Sequence, residues 1–271
     1  MKVGVAGLGL IGGSLALALR ARHQVRGFDT DRAARDSARD AGVETVDALD
    51  ALLPAEAVIV ATPIDAVVPT LRALAARAGD AVLLDVASVR APVETYAASA
   101  PERCKIVGLH PMAGRSGSGF RAASAELFTG RPFLVVPTAR SDSESMAVAG
   151  TLARDAGGHV TVVSAQQHDR IVAVLSALPL AFASALALAA DELDGELGSF
   201  SGPGFADATR LALTAPELGS ALLLANADNV RAALARSREL LDELERAIDA
   251  RDAATVRALL ARAFTARQAL S

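Results

Sequence analysis

The segment "VGLHPMAGRSGSGF", residues 107–120, places a histidine where it could act in catalysis. His110 ends an apolar run that predicts a buried strand. Pro111 keeps the chain extended at this point, because a residue before proline avoids helical dihedrals. A neutral imidazole held in this way can accept a proton from a bound hydroxyl group. We therefore predict that His110 is a catalytic base.

Three glycines near the start of the chain have the spacing of a dinucleotide-binding turn. "VGVAGLGLIGGS" carries Gly7, Gly9 and Gly12 as G-x-G-x-x-G between a predicted strand and a predicted helix. This spacing permits a tight turn, close approach of a pyrophosphate and close packing of helix on strand. Asp29 ends the next strand, where a carboxylate binds ribose hydroxyls and repels a 2′-phosphate. We expect NAD as the cofactor, and the nearby Arg32 leaves NADP open.

The segments "VATPID", residues 60–65, and "DVASVR", residues 85–90, follow two further predicted strands. Ligands of open parallel sheets bind beyond the carboxyl ends of the strands, so we expect Thr62, Pro63 and Ser88 to face cofactor or substrate. The alternatives are a plain strand-ending turn for the first two and a helix N-cap for Ser88. The predicted cofactor-binding set is completed by three apolar neighbours, Leu10, Ile11 and Ile64.

Short β-rich runs alternate with amphipathic helical stretches up to Ser164, and no β-rich run follows. Several runs are apolar throughout, which is typical of strands covered on both faces. We predict an α/β fold, a Rossmann-type doubly wound and mainly parallel sheet over residues 1–164, followed by a smaller all-helical domain over residues 165–271. The seven predicted strands are "KVGVAG", "QVRGFD", "AVIVAT", "AVLLDVAS", "KIVGLH", "PFLVVPT" and "HVTVVS".

The composition argues against several classes of partner. A net charge of −4 and an isoelectric point near 5.6 give no reason to expect nucleic-acid binding. A single cysteine, Cys104, excludes an internal disulfide and a cysteine-rich metal site. We therefore expect a cytoplasmic protein without a metal.

Two apolar segments resemble membrane or export signals. The N-terminal run carries the nucleotide-binding glycines and no cleavage site, so we interpret it as part of the mature fold. Residues 171–190 are uncharged over about the length that spans a bilayer. Alanine and serine dominate this segment and Pro179 interrupts it, which favours a helix buried among other helices. We expect no membrane partner.

Seven motifs, in order along nearly the whole chain, resemble the prephenate and arogenate dehydrogenase family of tyrosine biosynthesis. The motifs are "GLGLIGGS", "VATPI", "LLDVASVR", "GLHPMAGRSGSGF", "ELFTGRPFLVVPT", "HDRIVAVLSALP" and "GFADATRLALTAPELG". The resemblance is to the short, single-function members. It implies NAD-dependent oxidative decarboxylation of a cyclohexadienyl substrate. It also implies that His110 deprotonates or orients the ring hydroxyl, that Ser88 hydrogen-bonds to that hydroxyl and to the histidine, and that Arg210 binds a substrate carboxylate.

The chain departs from the family pattern at two places. Ala177 and Leu180 stand where family members commonly carry histidines, and Arg115 and Ser116 replace an acid after "HPMAG". We expect Arg115, with Gly114 beside it, to bind a substrate carboxylate instead. The preference for prephenate or arogenate stays open.

Two other functions are consistent with the same sequence features. A hydroxyacid or imino-acid oxidoreductase would share the architecture, but such hydroxyacid enzymes use a lysine of the helical domain, and Lys2 and Lys105 both precede it. A catalytically silent NAD-binding paralogue is the other alternative. His168, in "QQHDR", is interpreted as a hydrogen-bonding residue at a helix start or between the domains. The apolar helical region predicts a homodimer.

Overall fold

The computed structural model describes residues 1–115, 117–193 and 200–270. The chain forms two compact units, Met1–Asn226 and Ala227–Ser271. The division into residues 1–164 and 165–271 stays a prediction. Ser116, predicted to stand in place of an acid, lies outside the described residues.

The larger unit is built on one eight-stranded sheet in the order β3-β2-β1-β4-β5-β6-β7-β8. Every pair of neighbouring strands is parallel except β6 and β7. The strands are β1 (Lys2–Ala6), β2 (Gln24–Phe28), β3 (Glu44–Thr45), β4 (Ala57–Val60), β5 (Val82–Asp85), β6 (Lys105–Pro111), β7 (Pro132–Pro137) and β8 (His159–Val162). The predicted doubly wound, mainly parallel sheet is confirmed. β3 was not predicted, because a strand of two residues has no periodic pattern in the sequence.

Helices connect the strands and then make up the rest of the chain. The helices are α1 (Leu10–Leu19), α2 (Arg32–Asp40), α3 (Ile64–Ala75), α4 (Ala91–Ser99), α5 (Ser143–Asp155), α6 (Ala165–Val172), α7 (Leu178–Leu193), α8 (Pro203–Thr209), α9 (Pro216–Ala225), α10 (Ala227–Asp249) and α11 (Ala253–Ala269). Short 3-10 turns cover Leu49–Leu52, Phe120–Ala122 and Arg210–Leu213. Among the described residues, no strand follows β8, as predicted.

The sheet is buried on both faces, which explains the uninterrupted apolar runs of its central strands. Ile59 of β4 belongs to a core cluster with Leu15 of α1, on one face. Its neighbour Val58 belongs to a second cluster with Leu71 of α3, on the other face. Successive strand residues point to opposite faces, so one short apolar run supplies both cores.

The apolar segment after Ser164 forms one long helical rod in which a π turn, Ala173–Ala177, joins α6 to α7. Residues 165–192 are long and apolar enough to cross a membrane by length and composition alone, which is weak evidence. Ala173, Ala177 and Ala183 are buried, whereas Leu175 and Leu188 are 53% and 64% exposed. The prediction of a buried helix therefore holds for one side of the rod.

Candidate active site

His110 is the next-to-last residue of β6, at the carboxyl end of the parallel part of the sheet. The residue is half-buried, and its backbone pairs with Leu134 of the antiparallel strand β7. Burial disfavours the charged form, and His168 and the Arg90 guanidinium oppose a positive charge, so the pKa of His110 is lowered to about 3. His110 is therefore a neutral imidazole at physiological pH.

A chain of three side chains leads from His110 into the protein. Nδ1 of His110 lies 2.8 Å from Nε2 of His168, and Nδ1 of His168 lies 2.9 Å from Oδ1 of Asp169. Both partners are buried in the first turns of α6. Ser164 and Gln167 form a capping box there, which fixes the start of the helix that presents them.

Asp169 also caps a second helix. Its Oδ1 accepts a hydrogen bond from the backbone N–H of Arg90 at 2.8 Å, and its Oδ2 accepts one from Ala91 at 3.3 Å. A carboxylate at this position is stabilised by the N-terminus of α4. The N-cap of α4 is Arg90, so the alternative of Ser88 as N-cap is wrong. Ser88 is half-buried in the connection between β5 and α4.

A buried ion pair fixes that connection. The guanidinium of Arg90 donates to Oδ1 and Oδ2 of Asp85 at 2.5 and 2.9 Å, and both side chains are fully buried. A Cβ on Gly108 of β6 would lie 2.6 Å from Cζ of Arg90, so a glycine there makes room for the guanidinium. Removing one partner of such a buried pair costs about 3–5 kcal/mol. The pair therefore holds Ser88 between two anchored residues.

The glycine turn has the geometry that its spacing predicts. Gly7 has a φ of +94°, and a Cβ there would lie 2.5 Å from the carbonyl oxygen of Ala61. A Cβ on Gly12 would lie 1.9 Å from the carbonyl oxygen of Gly7, so α1 packs directly on the turn. A Cβ on Gly9, by contrast, would meet nothing within 4 Å. The backbone at Gly9, with Leu10 and Ile11 after it, is open to a ligand at the N-terminus of α1.

The carboxylate of Asp29 is tied to the same turn, because the backbone N–H of Leu8 donates to its Oδ2 at 2.6 Å. Arg32 is paired with Asp36 of its own helix at 3.6 Å. The hydroxyl of Thr62, between β4 and α3, is buried and has no hydrogen-bond partner among the described residues. A glycine cradle left open and an unpaired buried hydroxyl fit a polar cofactor such as a dinucleotide.

Pro63 and Ile64 complete the predicted set on this side of the site. Pro63 is the N-cap residue of α3 and Ile64 is its first residue, so both lie directly after the Thr62 turn. Pro63 is exposed and Ile64 is half-buried. The N-terminus of α3 therefore follows β4 at the same sheet edge as the glycine turn.

The described contacts do not bring the predicted carboxylate-binding residues to His110. Arg210 is exposed at the start of a 3-10 turn and lines a groove with Pro179 and Phe182 of α7. The guanidinium of Arg115 donates to the carbonyl oxygen of Ala122, and Arg115 and Gly114 are exposed. The roles of these three residues stay predictions.

The two positions that lack family histidines are packed into the protein. Ala177 closes the π turn and is fully buried, and Leu180 of α7 is 7% exposed. The Leu180 side chain lies close to Gly219 of α9, since a Cβ on that glycine would be 3.4 Å from its Cδ2. Apolar packing therefore occupies the places that the resemblance assigns to polar contacts.

Sequence reasoning missed two buried acids that hold the residues around His110. The contact of Asp169 with His168 and α4 joins segments 79 residues apart, which no local pattern predicts. The sequence feature that could have indicated this contact is the acid directly after a histidine in "QQHDR". The interpretation of His168 as a hydrogen-bonding residue agrees with its contact to His110. Asp85 was also missed, although an acid at the end of an apolar strand, five residues before Arg90, is a signal for a buried pair.

Comparisons with known proteins give a consistent result. The family model described as "Prephenate dehydrogenase, nucleotide-binding domain" matches residues 15–162. The model described as "Prephenate dehydrogenase, dimerization domain" matches residues 164–262. Together these matches cover strands β2 to β8 and most of the helical region.

Two characterised relatives are similar over most of the chain. Prephenate dehydrogenase of Bacillus subtilis is 32% identical over 254 residues, which cover 89% of this chain and 68% of the relative. Cyclohexadienyl dehydrogenase of Zymomonas mobilis is 30% identical over 262 residues, covering 92% and 89%.

Two solved structures are also similar. Arogenate dehydrogenase of Synechocystis superposes with a TM-score of 0.85 at 30% identity over 100% of both chains. Prephenate dehydrogenase of A. aeolicus, in complex with hydroxyphenyl propionate and NAD+, superposes with a TM-score of 0.91 at 25% identity over 99% and 98%.

Proposed function

The chain belongs to the prephenate dehydrogenase family, and from this premise we propose that it catalyses the NAD-dependent oxidative decarboxylation of prephenate to 4-hydroxyphenylpyruvate. This reaction is a step of tyrosine biosynthesis. The observation that carries the proposal is the neutral imidazole of His110, held at the carboxyl end of β6 in the same parallel sheet whose strand β1 leads into the glycine turn. The relatives' activities support the choice of substrate.

The proposed chemistry needs one proton acceptor from the protein. When bound, NAD accepts a hydride from the ring carbon that carries the hydroxyl group. His110 takes the hydroxyl proton as the carbonyl forms. The ring carboxylate leaves as carbon dioxide, its bonding electrons restore the aromatic ring, and His110 returns the proton to the phenolate. The products are 4-hydroxyphenylpyruvate, carbon dioxide and NADH, so atoms and electrons balance.

The cofactor is proposed to bind at the glycine turn. Gly7, Gly9 and Gly12 with Leu10 and Ile11 would hold the pyrophosphate, and Asp29 the adenosine ribose. Thr62, Pro63, Ile64 and Ser88 line the neighbouring strand ends. The pairing of Arg32 with Asp36 supports NAD over NADP, because a 2′-phosphate would have to compete with the carboxylate.

Substrate binding is proposed to involve Ser88 and two cations. Ser88, anchored between Asp85 and Arg90, would hydrogen-bond to the ring hydroxyl. Arg210 would hold one substrate carboxylate, since a guanidinium binds carboxylates with two parallel hydrogen bonds. Arg115, with Gly114 beside it, would have to release the carbonyl of Ala122 to reach a second carboxylate.

The second candidate is arogenate dehydrogenase, which would convert arogenate to tyrosine. The buried Ala177 and Leu180 favour it, because they remove polar groups that the resemblance places near the substrate side chain. Arogenate differs from prephenate in that side chain. The similarity to the Synechocystis arogenate dehydrogenase is a further argument.

We also propose a cytoplasmic homodimer that assembles through residues 165–271. The two family models meet between residues 162 and 164, and the second is described as a dimerization domain. The exposed leucines of the helical rod support this assembly. The boundary between the two family models also supports a functional division at residue 164. A single buried cysteine is consistent with the reducing cytoplasm.

The test is a spectrophotometric assay of NADH or NADPH formation with each substrate and each nicotinamide cofactor. We expect NADH from prephenate, and a higher kcat/KM with arogenate would establish the second candidate. Activity on neither substrate, while NAD still binds, would overturn the proposal in favour of a silent paralogue. Activity on a hydroxyacid alone would favour the other oxidoreductase class.

A further inference from the structure

We propose that His168 and Asp169 are positioning residues that hold His110 with its proton on Nδ1, so that Nε2 is the nitrogen that accepts the substrate proton. The inference rests on the proposed function for its catalytic consequence. The positions of the protons on the two histidines can be measured in the free protein, without substrate.

The direction of each hydrogen bond follows from the acid at the end of the chain. A carboxylate accepts only, so Nδ1 of His168 must donate to Oδ1 of Asp169 across 2.9 Å. When the His168 ring carries this one proton, its Nε2 is unprotonated. That nitrogen lies 2.8 Å from Nδ1 of His110, which must therefore donate. One tautomer of His110 satisfies the whole chain, and its Nε2 carries a lone pair.

Asp169 can impose this order because it is held from several sides. The backbone N–H groups of Arg90 and Ala91 donate to its two oxygens, and the side chain of Asn226 donates to its carbonyl oxygen at 2.7 Å. His168 is fully buried and Asp169 is 6% exposed. Both side chains are shielded from water, which favours these hydrogen bonds over bonds to solvent.

The same chain receives the positive charge when His110 takes a proton. The groups that face His110 are His168 from α6 and Arg90 from the start of α4. Arg90 is compensated by Asp85 and lies 3.9 Å from Glu94, so it is already paired. Asp169 is the acid at the end of the hydrogen-bonded chain, and His168 lies between it and His110. The Nδ1 proton of His110 can shift toward His168 as Nε2 is protonated, which spreads the charge toward that carboxylate.

Asp169→Asn is the informative variant. The Arg90 N–H and Nδ1 of His168 both contact Oδ1, so an amide oxygen at that place keeps both hydrogen bonds, and the amide NH2 replaces Oδ2 beside the Ala91 N–H. The variant therefore removes the negative charge and leaves the order of the protons unchanged. We expect kcat to fall about 10-fold or more, because no carboxylate then stabilises the positive charge of protonated His110, with the KM for NAD unchanged.

The direct measurement is the ¹⁵N spectrum of histidine-labelled free protein, in which four histidines give few signals. Loss of one signal pair in His110→Asn assigns His110. We expect a protonated Nδ1 and an unprotonated Nε2 in the wild type, and the same tautomer in Asp169→Asn. The matched control is Asp155→Asn, because Asp155 contacts His23 at 2.9 Å in a second histidine–acid pair, and it should leave kcat and the His110 signals unchanged.

A wild-type His110 protonated on Nε2 would overturn the proposal, and this measurement requires no variant to fold. An Asp169→Asn protein with unaltered kcat would overturn the role of Asp169 as well. The expected tautomers in a protein that oxidises neither prephenate nor arogenate would support the positioning and refute the proposed function, so the two failures are distinguishable.

Discussion

At the scale of single residues, the surroundings of His110 decide which form of its side chain is present. Burial is the main reason that its pKa is low, and His168 and Arg90 add to the effect. The motif around His110 predicted its place at the end of a strand. It could not predict the contacts with His168 and Asp169, because His168 is 58 residues away along the chain.

The low pKa of His110 predicts a pH dependence with a definite sign. Its pKa is 6.5 in the unfolded chain and about 3 in the folded protein, so the unfolded state binds the proton first as the pH falls. Stability from this group is complete above pH 6.5 and is lost as the pH falls toward 3. We expect the imidazole signals of His110 to keep their neutral positions from pH 8 to pH 5 in an NMR titration.

The matching stability measurement compares urea unfolding of wild type and His110→Asn at pH 7 and pH 5. Wild type should lose more free energy of unfolding, by on the order of 1–2 kcal/mol, because the variant lacks the titrating group. A titration midpoint near 6.5, or equal losses in the two proteins, would contradict the account of His110.

At the scale of elements, the turn between β1 and α1 separates two kinds of glycine. The G-x-G-x-x-G spacing predicted all three positions as parts of one dinucleotide-binding turn. The structure adds that Gly12 is required by the fold, whereas Gly9 faces open space. The π turn between α6 and α7 was beyond prediction, because an uninterrupted apolar run is compatible with any helical form.

This difference predicts opposite results for two alanine substitutions. Gly12→Ala places a methyl group 1.9 Å from the Gly7 carbonyl and should destabilise the protein by about 1–3 kcal/mol or more. Gly9→Ala should leave the melting temperature unchanged and weaken NAD binding at least several-fold. Thermal unfolding and NAD titration of both variants check this. A Gly9→Ala protein that binds NAD normally would show that the cofactor does not approach this turn.

At the scale of the whole molecule, the order of β-rich and helical segments was enough to predict the architecture. The apolar runs predicted the strands of the sheet, because a strand that is buried on both faces has no polar residues to interrupt its run. The helical rod was predicted to be buried among other helices, and its apolar character predicted a homodimer. Its leucines Leu175 and Leu188 are exposed in a single chain. Sequence pattern does not distinguish burial within a chain from burial between two chains.

A homodimer of 27.7 kDa chains is therefore expected in sedimentation at micromolar concentration. Leu175→Glu, on the rod, should shift the protein toward monomer, because it puts a charge on the apolar face. Val162→Glu is the matched control, since Val162 on β8 is 59% exposed, close to the 53% of Leu175. A monomeric wild type, or equal effects of the two substitutions, would contradict assembly through the helical region.

The most direct measurement of the proposed reaction counts both products of one turnover. Prephenate labelled in its ring carboxylate is incubated with NAD and enzyme, and NADH and labelled carbon dioxide are followed together. Equal amounts of the two, both lost in His110→Asn, are the expected result. Formation of NADH without carbon dioxide, or equal rates in wild type and His110→Asn, would contradict the assignment of His110 as the base of an oxidative decarboxylation.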